Sequence, residues 1–348
     1  MANTAIFVRS PYILTVTGVA NDTTRCDLFL WNRPDSIPVT ATRQLSKPIP
    51  SSVQTSVYYD ISEYCREYIN AISYTEVTFP TATTFNEYCF CTAKTYKNDV
   101  LQSTYTFICF DGYGYFEDGA NPTYNEVLLT EGTYQIKENA NSGAITTNVD
   151  TTVDDWAIKY SPLSGGGTTY SLALTDIDSS PYIHDNFKGT GGNIVEILNV
   201  VGGVTSVIAT YTFVEVCEPK YTVMDLDFVN KYGAWQRLML FKASFNNFDV
   251  SSNEFNLMSS SPSYNPLIAR RKTFNTNGMD KIRVNTGFVD ESYSDVIKQM
   301  MLSETILLDN KPVKLNGKSI ELQKSINKKV INYELTFDYA YHTINTVQ

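Results

Sequence analysis

Apolar and polar positions alternate in short runs along the first third of the chain. YILTVTG (12–18), CDLFLWN (26–32), EVTF (76–79), EYCFCTAKTY (87–96) and TYTFICF (104–110) are divided by NDTT, NRPDSIP and KPIPSS. A period of two predicts strands with one buried face, and Pro, Asn and Asp punctuation at short intervals predicts an antiparallel sandwich. One stretch breaks the alternation. In DISEYCREYINAI (60–72), Cys65, Tyr68, Ile69 and Ile72 fall on one helical stripe, with Asp60 as cap and Glu63 as the third helical residue. The pattern predicts a short amphipathic helix lying on a sheet.

FDGYGYFEDGANPTYN (110–125) is rich in Gly, Asn and Pro and marks a boundary. It lacks the D-x-D-x-D-G spacing of a calcium loop, so a linker is the expectation. The segment that follows opens with VLLTEGTYQI (127–136). Its VVGGVT (200–205) sets a Gly-Gly turn between two apolar strands, and SPLSGGGTTYSLAL (161–174) supplies a second hairpin turn. Those three glycines lack the G-K-[ST] ending of a phosphate loop. A second sandwich is expected here.

From about Glu218 the pattern changes. YTVMDLDFVNKYGAWQRLMLFKASF (221–245) reads as a strand, a turn at Asn230–Gly233 and a second strand with Trp235, Leu238, Leu240 and Phe241 apolar. DESYSDVIKQMMLSE (290–304) places Tyr293, Val296, Ile297, Met300 and Met301 at helical spacing behind Asp290 as cap. A hairpin about Asn316–Gly317 and the alternating NYELTFDYAY (332–341) complete it. The expected fold is mainly β. Residues 1–118 form a β-sandwich with a short helix and 119–217 a second sandwich, both immunoglobulin- or fibronectin-like. Residues 218–348 form an antiparallel sheet with one packed helix.

Composition narrows the function classes. With 43% hydrophobic and 18% charged residues, the 348-residue chain can bury large cores. Its net charge of −10 is uneven. Residues 219–348 hold 16 Lys and Arg against 13 Asp and Glu, leaving 11 against 24 for residues 1–218. No sustained positive face for coating nucleic acid is expected. Arg270, Arg271 and Lys272 make one tight basic cluster, read as a solvated loop. The cysteines Cys26, Cys65, Cys89, Cys91, Cys109 and Cys217 form no C-x-x-C pair and lie near no His, which suits free thiols in a reducing compartment. No run reaches the roughly 20 apolar residues of a membrane span, and MANTAIFVRSPY lacks the pattern of a secretory leader.

Catalytic candidates are few. The only histidines are His184, in a Pro-flanked loop by the sequence pattern, and His342; neither lies near a nucleophile elbow. A glycosidase needs two carboxylates, which Asp154 and Asp155, Asp176 and Asp178, or Asp225 and Asp227 could supply. Acidic loops in an acidic protein explain them equally well. No nucleotide, metal or flavin pattern is present, and the expectation is a protein that is not an enzyme and uses no cofactor.

Several stretches together carry a resemblance: SPYILTV, LFLWN and SEYCREYI near the start, GYGYFEDGAN in the middle, then FVNKYGAWQRLMLFK, IRVNTGFVDESYSDVIKQMMLSE and PVKLNGKSIELQKSINKKVINYELTFDYAYHTIN. In these the chain resembles structural proteins from the neck or tail modules of tailed bacteriophages that infect Bacteroidota, including Cellulophaga and crAss-like phages. The resemblance implies a virion component assembled in the host cytoplasm, a homo-oligomeric ring of the neck, tail-tube or baseplate type. Its partners would be other neck and tail proteins, with a lumen through which DNA can pass. It also implies that 218–348 forms the ring and 1–217 points outward. Phe228, Tyr232, Gly233, Trp235, Val296, Met300, Met301 and Phe337 become the expected core and assembly residues. Trp235 would anchor the ring domain, Met300–Met301 would sit at an interface, and NYELTFDYAY would continue into a neighbour. The rival expectation is a host-receptor or carbohydrate-binding tail protein, or an adhesin.

Overall fold

The computed structural model describes residues 4–32, 35–50, 53–69, 82–84, 88–122, 127–137, 144–148, 155–163, 168–172, 182–185, 191–218, 220–258, 265–317 and 331–345. The fold is mainly β, with two α-helices among the described residues.

The first part holds a five-stranded sheet in the order Thr4–Phe7, Val100–Phe110, Tyr88–Lys97, Thr23–Trp31, Arg43–Pro48, and a separate pair, Ile13–Thr17 with Ser56–Asp60. Thr4–Phe7 joins its neighbour in parallel; the remaining pairs are antiparallel. Alternation puts Cys26, Leu28 and Leu30 of one strand, and Cys89, Cys91 and Ala93 of the next, into one core with Leu14, Val16, Val57 and Tyr59 of the two-stranded sheet. The short helix spans Ser62–Arg66 with Ile61 at its N-cap. Asp60, the expected cap, instead accepts the Ser62 amide at 3.0 Å and the Ser62 hydroxyl at 2.6 Å. Ile72 and the strand expected at 76–79 lie outside the described residues.

The middle part is a five-stranded sheet ordered Thr168–Leu172, Asp155–Pro162, Gly192–Val201, Val204–Val216, Gly132–Lys137. Gly202 and Gly203 turn the long hairpin with φ of 58° and 78°, the paired positive values that a two-residue hairpin demands. A three-stranded sheet beside it runs Ala144–Thr147, Tyr182–Asp185, Ala82–Thr84. Its last strand comes from the first third of the chain. Tyr182–Asp185 is therefore the central strand of a sheet, where the preceding Pro181 had indicated a loop.

The last part is one seven-stranded antiparallel sheet: Trp235–Leu240, Met224–Val229, Ile306–Leu308, Lys311–Leu315, Ile331–Tyr339, Arg271–Val289, Phe245–Asn256. The helix Tyr293–Met301 packs Tyr293, Val296, Ile297 and Met300 inward, and Asp290 accepts the Ser292 amide at 3.0 Å just ahead of it. A tight hairpin falls at Asp309–Asn310, both with positive φ, between Ile306–Leu308 and Lys311–Leu315. Lys311–Leu315 has Ile331–Tyr339 as its other neighbour, so the turn expected at Asn316–Gly317 does not supply its partner. One continuous core takes Tyr134, Ile158, Val195, Ile197, Tyr211 and Phe213 from the middle part together with Phe228, Leu238, Val296, Met300, Tyr333 and Phe337 from the last.

Candidate functional site

Two places rise above ordinary packing: a junction where the three parts meet, and an arm that leaves the molecule.

The junction grows from the strand pair Met224–Val229 and Trp235–Leu240. Alternation sends Leu226, Phe228 and Leu238 into the large core and Val229 and Trp235 to the opposite face. There Trp235, only 2% exposed, packs with Phe7, Tyr88, Phe90, Ile108 and Phe110 of the first part and with Leu128 and Leu307. Trp235 is thus an anchor between parts, where the sequence had suggested one between two strands of the last part. On the same face Arg237 clamps Asp227 through two bonds of 2.7 and 2.9 Å and reaches Asp225 at 3.2 Å. One guanidinium holds both carboxylates, so this pair is a buried structural ion pair. Of the other carboxylate candidates, Asp154, Asp176 and Asp178 lie outside the described residues.

The turn between those strands is read by all three parts. Asn230, fully buried, donates to the Leu128 carbonyl at 2.8 Å and to Gln236 at 3.1 Å, and accepts the amides of Tyr232 and Ala234. Gln236 donates in turn to the Tyr134 hydroxyl at 3.0 Å. From the first part, the Tyr113 amide donates to the Lys231 carbonyl at 2.7 Å. The loop expected as a free linker at 110–125 is therefore docked at its start. Arg66 bridges Asp111 at 3.2 Å and Glu304 at 2.5 Å, and Arg9 donates to the Leu302 carbonyl at 3.1 Å. Burial pushes the Asp111 carboxyl above its ordinary value, against the pull of Arg66 and Arg9.

The arm is the outer hairpin of the seven-stranded sheet. Ile331–Tyr339 pairs with the inner strand only as far as Lys281, and Thr343 and Ile344 reach Gly278 and Asn277. Beyond that, Asn253–Asn256 and Arg271–Phe274 run on as two strands, about 13 Å at 3.3 Å per residue. All twelve residues of Phe245–Asn256 are exposed. Phe248 lies across Gly278, where an added Cβ would come within 2.1 Å of its ring, and Phe255 meets Phe274 edge to face at 5.6 Å. The loop beyond exposes Met258 (93%) and Leu267 (91%). Arg270, Arg271 and Lys272 stand where this loop rejoins the arm. Sequence reading missed the arm because its strand FNNFDVSSNEFN has neither an apolar run nor a buried alternating face.

The groups that catalysis could use are placed as follows. His342 and Ser251 share a depression of about 460 Å³ with Asp249, Lys281 and Asp338. Lys281 engages Asp249 at 2.5 Å and approaches Asp338 at 3.9 Å, and no hydrogen bond joins His342 to Ser251. Five cysteines are buried together, and burial pushes the Cys26 thiol up to about 12. Among the described residues no group of His, Cys, Asp or Glu is arranged to hold a metal ion, and no helix is long and apolar enough to cross a membrane.

The structure places the expected residues as follows. Phe228, Trp235, Val296, Met300 and Phe337 are buried, as is Gly233; Tyr232 and Met301 are half-buried. Met300 belongs to the core because the helix register turns it inward with Tyr293, Val296 and Ile297, so it presents no interface. Ile331–Tyr339 pairs with Arg271–Val289 on one side and, over Phe337–Tyr339, with Lys311–Leu315 on the other. No family model matches the chain, and no curated protein matches it.

Proposed function

We propose that the chain is a non-enzymatic structural protein of a virion, a ring-forming component of a tailed-phage neck, tail or baseplate assembled from copies of itself and other virion proteins. In this reading 1–118 and 119–217 are sandwich domains carried on the outside and 218–348 builds the ring. The observation that supports it is the arm: a long, wholly exposed strand with apolar side chains, and exposed Met258, Leu267 and Ile268 beyond it, on a body otherwise firmly locked at its junction. Apolar surface of this extent on a free monomer marks a contact waiting for a protein. The resemblance in residues such as FVNKYGAWQRLMLFK supplies the virion context. Light scattering on a sizing column, at several concentrations, tests it. A discrete closed multimer agrees with the reading, and a monomer throughout removes its self-assembling form.

A glycan-binding reading has one observation in its favour, the fully exposed Phe116 ring beside Tyr115 on the 3-10 turn Phe116–Asp118. Binding on a glycan array that Phe116→Ala abolishes would support it over the ring.

A further inference from the structure

The seven-stranded sheet has two edges, and they differ. Trp235–Leu240 is buried at every position, packed against Gly132–Lys137 and Ala144–Thr147 of the middle part, and the Lys137 amide donates to the Met239 sulfur at 3.1 Å. Phe245–Asn256, at the other end, is exposed at every position and paired on one side only. Among the described residues no strand lies on its other side, so half of its backbone N–H and C=O groups face outward.

We infer that Phe245–Asn256 is a docking strand for the same strand of a second copy, paired antiparallel across a local twofold axis. A head-to-tail sheet continuation would need a second open edge, and Trp235–Leu240 is closed. Edge pairing between copies through this sheet then uses the same strand twice. This inference rests on the reading of the chain as a self-assembling structural protein and names the surface involved.

The charges of the strand fit such a partner. Centring the axis on Val250, which keeps facing side chains on one face of the sheet, sets Phe245 opposite Phe255, Asn246 opposite Glu254, Asn247 opposite Asn253, Phe248 opposite Ser252 and Asp249 opposite Ser251. No like charges oppose one another, and each carboxylate meets an amide or a hydroxyl that can donate to it. Within the subunit, Lys281 already neutralises Asp249 and Arg271 neutralises Glu254. The strand has no Lys, Arg or Pro, the residues with which open edges are usually guarded. It is also regular. The ladder skips one residue, Ser252, on the outer strand and two, Asn275 and Thr276, on the inner one, where Asn275 takes φ of +50°. The surplus residue of this bulge thus lies on the inner strand and leaves the outer alternation intact.

The test uses the full chain with Cys217, the one exposed cysteine, replaced by Ser. Asn246→Cys and Glu254→Cys are made as separate variants, mixed, and oxidised with diamide. Disulfide-linked dimer is expected in the mixture and at least tenfold less in either variant alone. In parallel, Val250→Lys with Ser252→Lys should break a parent multimer into smaller species while circular dichroism and melting stay those of the parent. A multimer unchanged by the lysines, with no cross-link, overturns the inference and leaves the ring reading standing. A dimer and nothing larger, dissolved by the lysines, keeps the inference and removes the ring. A monomer at every concentration with no cross-link overturns both.

Discussion

Gly233 and Gly112 lie backbone against backbone. A Cβ on Gly233 would come within 2.7 Å of the Asp111 amide nitrogen, and one on Gly112 within 2.7 Å of the Lys231 carbonyl oxygen. Gly233 also holds φ at +81°, a conformation that costs any other residue free energy. Strain and close contact act together there. Gly233→Ala is expected to lower stability by about 2 to 4 kcal/mol, measured by urea unfolding.

Trp235 supplies the apolar half of the same junction. Removing it empties a large buried site, with a loss of about 3 to 5 kcal/mol. Because its neighbours belong to different parts of the chain, the loss should also change how unfolding proceeds. Differential scanning calorimetry of Trp235→Ala is expected to show the first part melting separately from the other two, which share one core. Leu28→Ala, inside the first part's own core, should lower that part's stability and leave the junction as it is. A single, merely shifted transition for Trp235→Ala would argue against its role between parts.

Much of this arrangement could be read from residue order, and the exceptions have two causes. Gly202–Gly203, the helix Tyr293–Met301 and the alternation of Tyr333, Leu335 and Phe337 are local patterns, and the structure has them where the local physics put them. Trp235 read correctly as buried, but its partners did not, since Phe7 and Phe110 stand more than a hundred residues away and no spacing announces them. Asp225 and Asp227 looked like paired acids because the sequence cannot show Arg237 turning back between them. The arm escaped notice for the opposite reason: it has no buried face, and burial is what writes a pattern into a strand.

The Asp227–Arg237 pair is fully out of water, so its two halves should fail unequally. Asp227→Ala removes the two short bonds that hold a buried guanidinium, and a loss of about 3 to 5 kcal/mol is expected. Replacing both residues, as Asp227→Leu with Arg237→Met, takes both buried charges out together and should recover most of that loss. Chemical denaturation of the two single variants and the double one gives the coupling directly.

Asp111 gives the junction a dependence on pH. Its folded carboxyl titrates above its ordinary value of 3.8, first because burial disfavours the charge and further because Glu304 is close; Arg66 and Arg9 oppose the shift without cancelling it. A carboxyl with a raised folded value binds more protons folded than unfolded. Stability from this group is therefore greatest below its ordinary value and is lost as pH rises through the folded one. Asp111→Asn cannot ionise and keeps the size of the side chain. Relative to the parent, the variant should gain stability as pH is raised from below 3.8 upward, with the difference levelling off once the parent carboxyl is ionised. Urea unfolding of both proteins across that range measures it. A difference that instead moves in the parent's favour with rising pH would mean that the ion pair with Arg66 at 3.2 Å outweighs the cost of burial.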